Sequence, residues 1–284
     1  MAPVATAPMA PYGLLDYYST SVLTGLKTIA GPYWREAAAR IVNPLSYPRY
    51  LEFQLTVNRL PIADGGRLLD IGSPKLPVLL VTRHTRCQVH TTDIRDYFIP
   101  ATSEFLRRNG QGQRLGRDIH LEVQDARRLT YDDAFFDWIY SVSVIEHIPD
   151  GGDAVAMSEI RRVLRPGGVV ALTVPFSDAG YREEWVRGDV YEREGQGAPN
   201  FYQRHYDLPS LRARLIEPSG MEVVETTFFG EPGVRFEPTW NRIPMRWKVP
   251  ALWAQPLLAK AFLRPLRPHE RHAAVGVAVT LRKR

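Results

Sequence analysis

The chain has 284 residues, 44% of them apolar and 24% charged, which supports one large core and is too short for two comfortable domains. A single cysteine, Cys87, excludes an intrachain disulfide and a cysteine-based metal site, so a cytoplasmic setting is expected. The formal charge of +5 is uneven: residues 230–284 hold eleven Lys and Arg against three Glu, leaving the remainder about 3 negative.

The N-terminal MAPVATAPMAPYG lacks the basic start and unbroken apolar stretch of a secretory signal and reads as a loose tail. Residues 12–60 read as two or three helices broken at Pro32, Pro44 and Pro48, so residues 1–60 form a helical extension capping a catalytic domain at 61–284. From Leu69 onward, short apolar runs alternate with amphipathic stretches, the pattern of a parallel sheet covered by helices. Strands are predicted at Arg67–Ile71, Cys87–Thr92, Ile119–Val123, Phe136–Val142 and Val169–Val174. A helix before the last places Ala156, Ile160, Val163 and Leu164 on one face and stops at Pro166-Gly167-Gly168. Residues 177–206 read as a lid or substrate loop carrying Tyr181, Trp185 and Tyr191. A helix at Leu208–Ile216 then precedes strand-like runs at Glu222–Phe229 and Ala273–Leu281, which close the sheet as an antiparallel edge around an insertion at 231–272. No run reaches the roughly 18–20 apolar residues of a membrane-spanning helix.

Arg67–Pro77 (RLLDIGSPKLP) is a buried strand ending in an acid, turning at one glycine and entering a helix, with Ser73 as N-cap and Pro74 at the first helical position. Free N–H groups at such a helix start suit a ligand carboxylate, and Asp70 suits a ligand ammonium, so the pair suits a zwitterionic amino-acid end. A dinucleotide site needs G-x-G-x-x-G, and only Gly72 is present, which argues against pyrophosphate. Asp93, at the end of the second strand, suits two ribose hydroxyls; Asp125 and the Ala126 N–H suit the edge of an adenine. Each acid ends a successive parallel strand, the edge where open α/β sheets bind ligands.

The ordered segments LLDIGS, TTDIRD, VQDARRL, FDWIYSVSVIEHI, EIRRVLRPGGVVALTVP and FYQRHYDLPSLRARL resemble the small-molecule type of class I S-adenosylmethionine-dependent methyltransferases over roughly residues 48–230. The resemblance implies a Rossmann-like α/β fold: a seven-stranded, mainly parallel sheet with helices on both faces and an antiparallel C-terminal edge strand. It implies S-adenosyl-L-methionine as cofactor, with Asp70, Gly72 and Ser73 at its methionine end, Asp93 and Ile94 at the ribose, Asp125 and Ala126 at the adenine, and Ser141, Val142 and Ser143 beside the methionine portion. The usual G-x-G-x-G loop is reduced here to Gly72-Ser73-Pro74-Lys75-Leu76.

A sulfonium methyl is already electrophilic, so catalysis is mainly positioning of the nucleophile. For a hydroxyl acceptor, His147 is the leading general base and His205 the second. Some relatives hold a divalent metal with Glu-x-x-Glu-His; the run here begins at Ser143 and lacks the first carboxylate, so no metal is expected. Trp185, Tyr202 and Tyr206 are the expected substrate contacts, with Phe201 beside them. The expected partner is a small-molecule acceptor and not nucleic acid. Two alternatives stay open: the Trp- and Arg-rich stretch 239–267 lying peripherally on a membrane, and a non-catalytic fold-mate acting through partner binding.

Overall fold

The computed structural model describes residues 11–188 and 199–284; the tail at 1–10 and Tyr191 lie outside the described residues. The chain opens with three helices, α1 (Leu14–Thr28), α2 (Trp34–Val42) and α3 (Arg49–Leu55), separated around the predicted proline breaks. Gly25 lets α1 and α2 approach closely, since a Cβ there would lie 2.6 Å from the Ala37 carbonyl oxygen.

The sheet then builds in βα order: β1 (Arg67–Ile71), α4 (Leu76–His84), β2 (Gln88–Asp93), α5 (Phe98–Leu106), β3 (Ile119–Val123), β4 (Phe136–Val142), α6 (Gly152–Val163) and β5 (Leu164–Pro175). A hairpin of β6 (Arg182–Val186) and β7 (Asn200–His205) follows, then the short helices α7 (Leu208–Leu211) and α8 (Glu217–Ser219) and strand β8 (Glu222–Gly230). Residues 231–272 carry α9 (Phe236–Arg242), α10 (Met245–Lys248), α11 (Gln255–Phe262) and the two-residue β9 (Arg264–Pro265), before β10 (Ala274–Arg282).

The main sheet runs β3-β2-β1-β4-β5-β10-β8-β9. The first five strands are parallel; β10 lies antiparallel between β5 and β8. Among the described residues it has eight strands and not seven, because β9 pairs with β8 through Phe229 and Gly230. β1 and β4 are buried on both faces, as apolar-rich central strands must be. One core packs α6 against Leu69, Ile139, Leu172 and Val279. A second packs α1, α3 and α4 against Leu68, Val89, Tyr140 and Ala171. The strand order reverses between β1 and β4, so a crevice opens at their C-terminal ends.

Three local expectations are corrected. Leu164 is the first residue of β5, paired with Phe136, and a register shift lets the strand pass through Pro166-Gly167-Gly168 before Val169 pairs with Trp138. The lid segment contains an antiparallel hairpin and is not all loop, since Arg182–Val186 pairs with Asn200–His205. Helix α4 starts at Leu76, with Lys75 and not Ser73 at its N-cap. The Ser73 hydroxyl is already committed, accepting from Val142 N (2.8 Å) and donating to the Ile71 carbonyl (3.3 Å).

Candidate functional site

Three cavities meet at the C-terminal tips of β1, β2 and β4. The first, of about 460 Å³, is lined by Ile71, Gly72, Asp93, Ile94, Asp125, Ala126, His147 and Ile148, among others. The second, of about 620 Å³, lies between the Gly72–Leu76 loop and the helical extension, with Glu36, Arg40, Arg49, Tyr97 and Val142 in its wall. The third, of about 740 Å³, is bounded by Arg49 and Glu52 of α3, Val174–Ala179 at the end of β5, Gln203 and His205 of β7, and Phe229, Glu231 and Arg235. Ser143 borders all three. It follows β4 with φ +52° and donates its hydroxyl to Glu52 (2.6 Å), tying the sheet tip to α3.

Gly72 sits at the divide between the first two cavities. Its φ is +62°, and a Cβ would lie 2.7 Å from Val144 Cγ1, so only glycine fits this turn. Beside it the first cavity has one polar and one apolar side. Asp93 and Asp125 supply carboxylate acceptors, while Ile94, 54% exposed, and Ile148 and Pro149 supply flat apolar contact. Asp93 accepts from the Tyr97 hydroxyl at 3.2 Å. Asp125 is gripped by Arg127 through Nη2 (2.7 Å) and the backbone N–H (2.9 Å), and this pairing holds its carboxyl below the usual range and therefore ionised. Acids facing an apolar slot match a ligand with hydroxyls and an exocyclic amine around an aromatic ring.

Asp70 does not serve the crevice as expected. It is fully buried, lines none of these cavities, and spends both oxygens on protein donors: Lys75 Nζ (2.9 Å), Thr91 Oγ1 (2.5 Å) and Ser73 N (3.2 Å). Burial pushes its carboxyl upward and the Lys75 charge and these hydrogen bonds pull it back. Ser141, also fully buried, donates to the Ile71 carbonyl at 3.3 Å and lines none of these three cavities, whereas Val142 and Ser143 line the second.

The two histidines are held apart. His147 lines the first cavity, with its Nδ1 2.7 Å from the Tyr202 carbonyl, to which it donates, and its Nε2 3.7 Å from Glu146 Oε1. His205 lines the third cavity against Glu184 (3.3 Å) and Gln203 (3.2 Å), and burial lowers its pKa despite Glu184. Of the expected substrate residues, Tyr206 is core: it is fully buried and donates to Asp153 at 2.9 Å. Trp185 is 54% exposed against Phe201 and lines none of the three cavities. Tyr202 contributes its backbone carbonyl to His147.

Three further residues lie outside the predicted site residues. Arg40 of α2 points its guanidinium over the Phe105 ring (4.7 Å) in the second cavity, with no carboxylate partner among the described residues, and burial lowers it to about 10. Glu52 receives Arg49 (2.7 Å) beside Ser143. Glu146 is 1% exposed, and neither oxygen has a hydrogen-bond partner among the described side-chain contacts. Burial pushes it to about 8, Glu52 adds to the push, and its own backbone N–H and Arg49 oppose it.

The "Methyltransferase domain" family matches residues 69–172, the span carrying the first two cavities' strand tips. O-methyltransferase rstn1 of Aspergillus nomiae is 32% identical over 177 residues, covering 60% of this chain and 70% of that enzyme. The chain belongs to the class I S-adenosylmethionine-dependent methyltransferase family. Methyltransferase GfsG of Streptomyces halstedii is 28% identical over 141 residues, 49% of this chain and 48% of that protein, so the chain spans about half the length of this relative. The crystal structure of the [4+2]-cyclase SpnF shares the fold along 99% of both chains, with a TM-score of 0.51 at 21% identity. The family's methyl donor, S-adenosylmethionine, carries hydroxyls, an amine and an aromatic base, and the acceptor carboxylates and apolar faces lining the first cavity are chemically compatible with these groups.

Proposed function

We propose that this methyltransferase acts on a small-molecule acceptor bound in the third cavity, by positioning assisted by a histidine base. The observation that carries the reading is Ser143, which among the described residues is the one bordering the first cavity, the cationic cavity beside it and the polar third cavity. Bound S-adenosylmethionine supplies an electrophilic methyl group. Asp93 would accept from its ribose hydroxyls and Asp125 from its adenine amine, with Ile94 and Ile148 supplying apolar contact. Because Asp70 is paired with Lys75, the amino-acid end needs another partner, and Arg40 lines the adjoining cavity with no carboxylate partner among the described residues, placed to take its carboxylate.

In the third cavity, Phe176 and Phe229 give apolar wall, while Glu52, His205 and Glu231 give acceptors. An acceptor hydroxyl passes its proton to His205, which burial keeps neutral near pH 7 and Glu184 steadies once protonated. This moves the base from His147, which borders the nucleoside side, to His205. The O-methyltransferase relative supports oxygen as the acceptor atom. The test is formation of S-adenosylhomocysteine against a panel of hydroxylated, aminated and isoprenoid small molecules, with His205→Gln as control. Turnover confined to hydroxylated compounds and lost in the variant supports the reading. Cofactor binding without turnover on any panel member favours a fold-mate acting through partners.

A further inference from the structure

Residues 239–267 contain no Asp or Glu, six Lys and Arg, and three of the chain's six tryptophans. The stretch folds as the end of α9, α10, the turn Val249–Ala254 and α11, cut into short pieces at Pro244, Pro250 and Pro256. Its inner side is anchored on the helical extension: buried Gln255 accepts from Tyr47 N (3.0 Å) and donates to Asn43 Oδ1 (3.2 Å), with Pro256 and Ala259 buried beside it. The outer side shows the reverse of a solvated face. Trp247 is 69% exposed, Leu257 56%, Trp253 52% and Val249 46%, the last three spaced four residues apart. Among them stand Arg242, Arg246 and Lys260, exposed and without a carboxylate partner among the described residues. Arg246 lies over the Trp247 ring at 5.9 Å.

We propose that this face docks on an anionic lipid bilayer, with Trp247, Val249, Trp253 and Leu257 in the interfacial layer and Arg242, Arg246 and Lys260 among the headgroups. Unpaired cations interleaved with exposed aromatics, and no acid over the whole stretch, complement a negatively charged apolar boundary. The Trp253 indole N–H already donates to the Pro250 carbonyl (2.9 Å), so its ring enters an apolar layer without leaving a donor unmet. Arg235 and Pro238, just before this stretch, line the third cavity. Docking therefore sets the acceptor cavity beside the membrane, and, resting on the proposed function, assigns the acceptor to lipid-soluble compounds.

The full chain is to be sedimented with vesicles of phosphatidylcholine alone and of phosphatidylcholine mixed with phosphatidylglycerol, following tryptophan emission. Binding to the anionic vesicles with a blue shift, weakened by salt, is expected. Arg242→Gln with Arg246→Gln lowers that affinity about 25-fold, roughly fivefold per cation, and Trp247→Ser with Trp253→Ser abolishes the blue shift and weakens binding about tenfold or more. These side chains are solvent-facing, so both variants keep the wild-type melting temperature and S-adenosylhomocysteine affinity by calorimetry. Absence of binding to anionic vesicles, undiminished binding by the variants, or equally tight binding to soluble polyglutamate would overturn the docking. Docking without any cofactor affinity would instead sink the proposed function and leave the surface assignment standing.

Discussion

Replacing Glu146 by Gln makes the protein more stable at neutral pH, and the gain depends on pH in a defined way. Glu146 is buried at the tip of β4 and its pKa rises from 4.5 to about 8 on folding, mainly through lost hydration. A raised folded-state pKa means that the folded chain holds a proton which the unfolded chain releases above about pH 4.5. The favourable contribution is complete below that value and is lost as pH rises to about 8, at about 1.4 kcal/mol per pH unit. At pH 7 the deficit is roughly 3 kcal/mol, and by pH 8 it approaches roughly 5 kcal/mol. Glutamine has nearly the same volume and no proton to lose, so the variant lacks this slope. Urea unfolding of both proteins at pH 5, 6, 7 and 8 measures it: the stability difference should grow from near zero to several kcal/mol. Parallel pH profiles would refute the placement of Glu146 as a buried, unhydrated carboxyl.

Arg40→Met should weaken S-adenosylmethionine binding about tenfold or more, the worth of one charge-assisted pair, with little change in melting temperature; unaltered affinity by calorimetry removes Arg40 from the site. Gly72→Ala forces a side chain into a left-handed turn against Val144 and should cost about 2–4 kcal/mol in urea unfolding together with loss of cofactor binding. His205→Gln should lower kcat on a hydroxylated acceptor by about 100-fold or more while leaving cofactor affinity intact, and His147→Gln should do less to kcat; the opposite ranking returns the base to His147.

The strand tips were legible because a buried strand announces its own end. Apolar runs at 67–71, 119–123 and 136–142 became β1, β3 and β4 with those bounds, and Gly72, Asp93, Asp125 and Ala126 follow into one crevice by sheet geometry alone. Side-chain direction was not legible. Whether Asp70 faces a ligand depends on where Lys75, five residues on, sends its ammonium, and the proline-containing loop turns it inward. Glu52 and Glu146 are 94 positions apart in sequence, and only the seating of α3 on the β4 tip brings them together. Tyr206 looked like a pocket aromatic, but its hydroxyl serves Asp153, which Arg214 also holds at 2.7 Å inside the core. The hairpin at 182–205 was hidden because its strands carry charges and polar side chains where alternation would signal a sheet.

A nucleoside held by the acid at the tip of β2 is tested most directly by calorimetric titration of S-adenosylhomocysteine into wild-type protein and Asp93→Ala. Two hydrogen bonds to an ionised acceptor amount to about 3–6 kcal/mol, so the variant should bind at least about 100-fold more weakly at a single site. Equal affinity in the two proteins would contradict it.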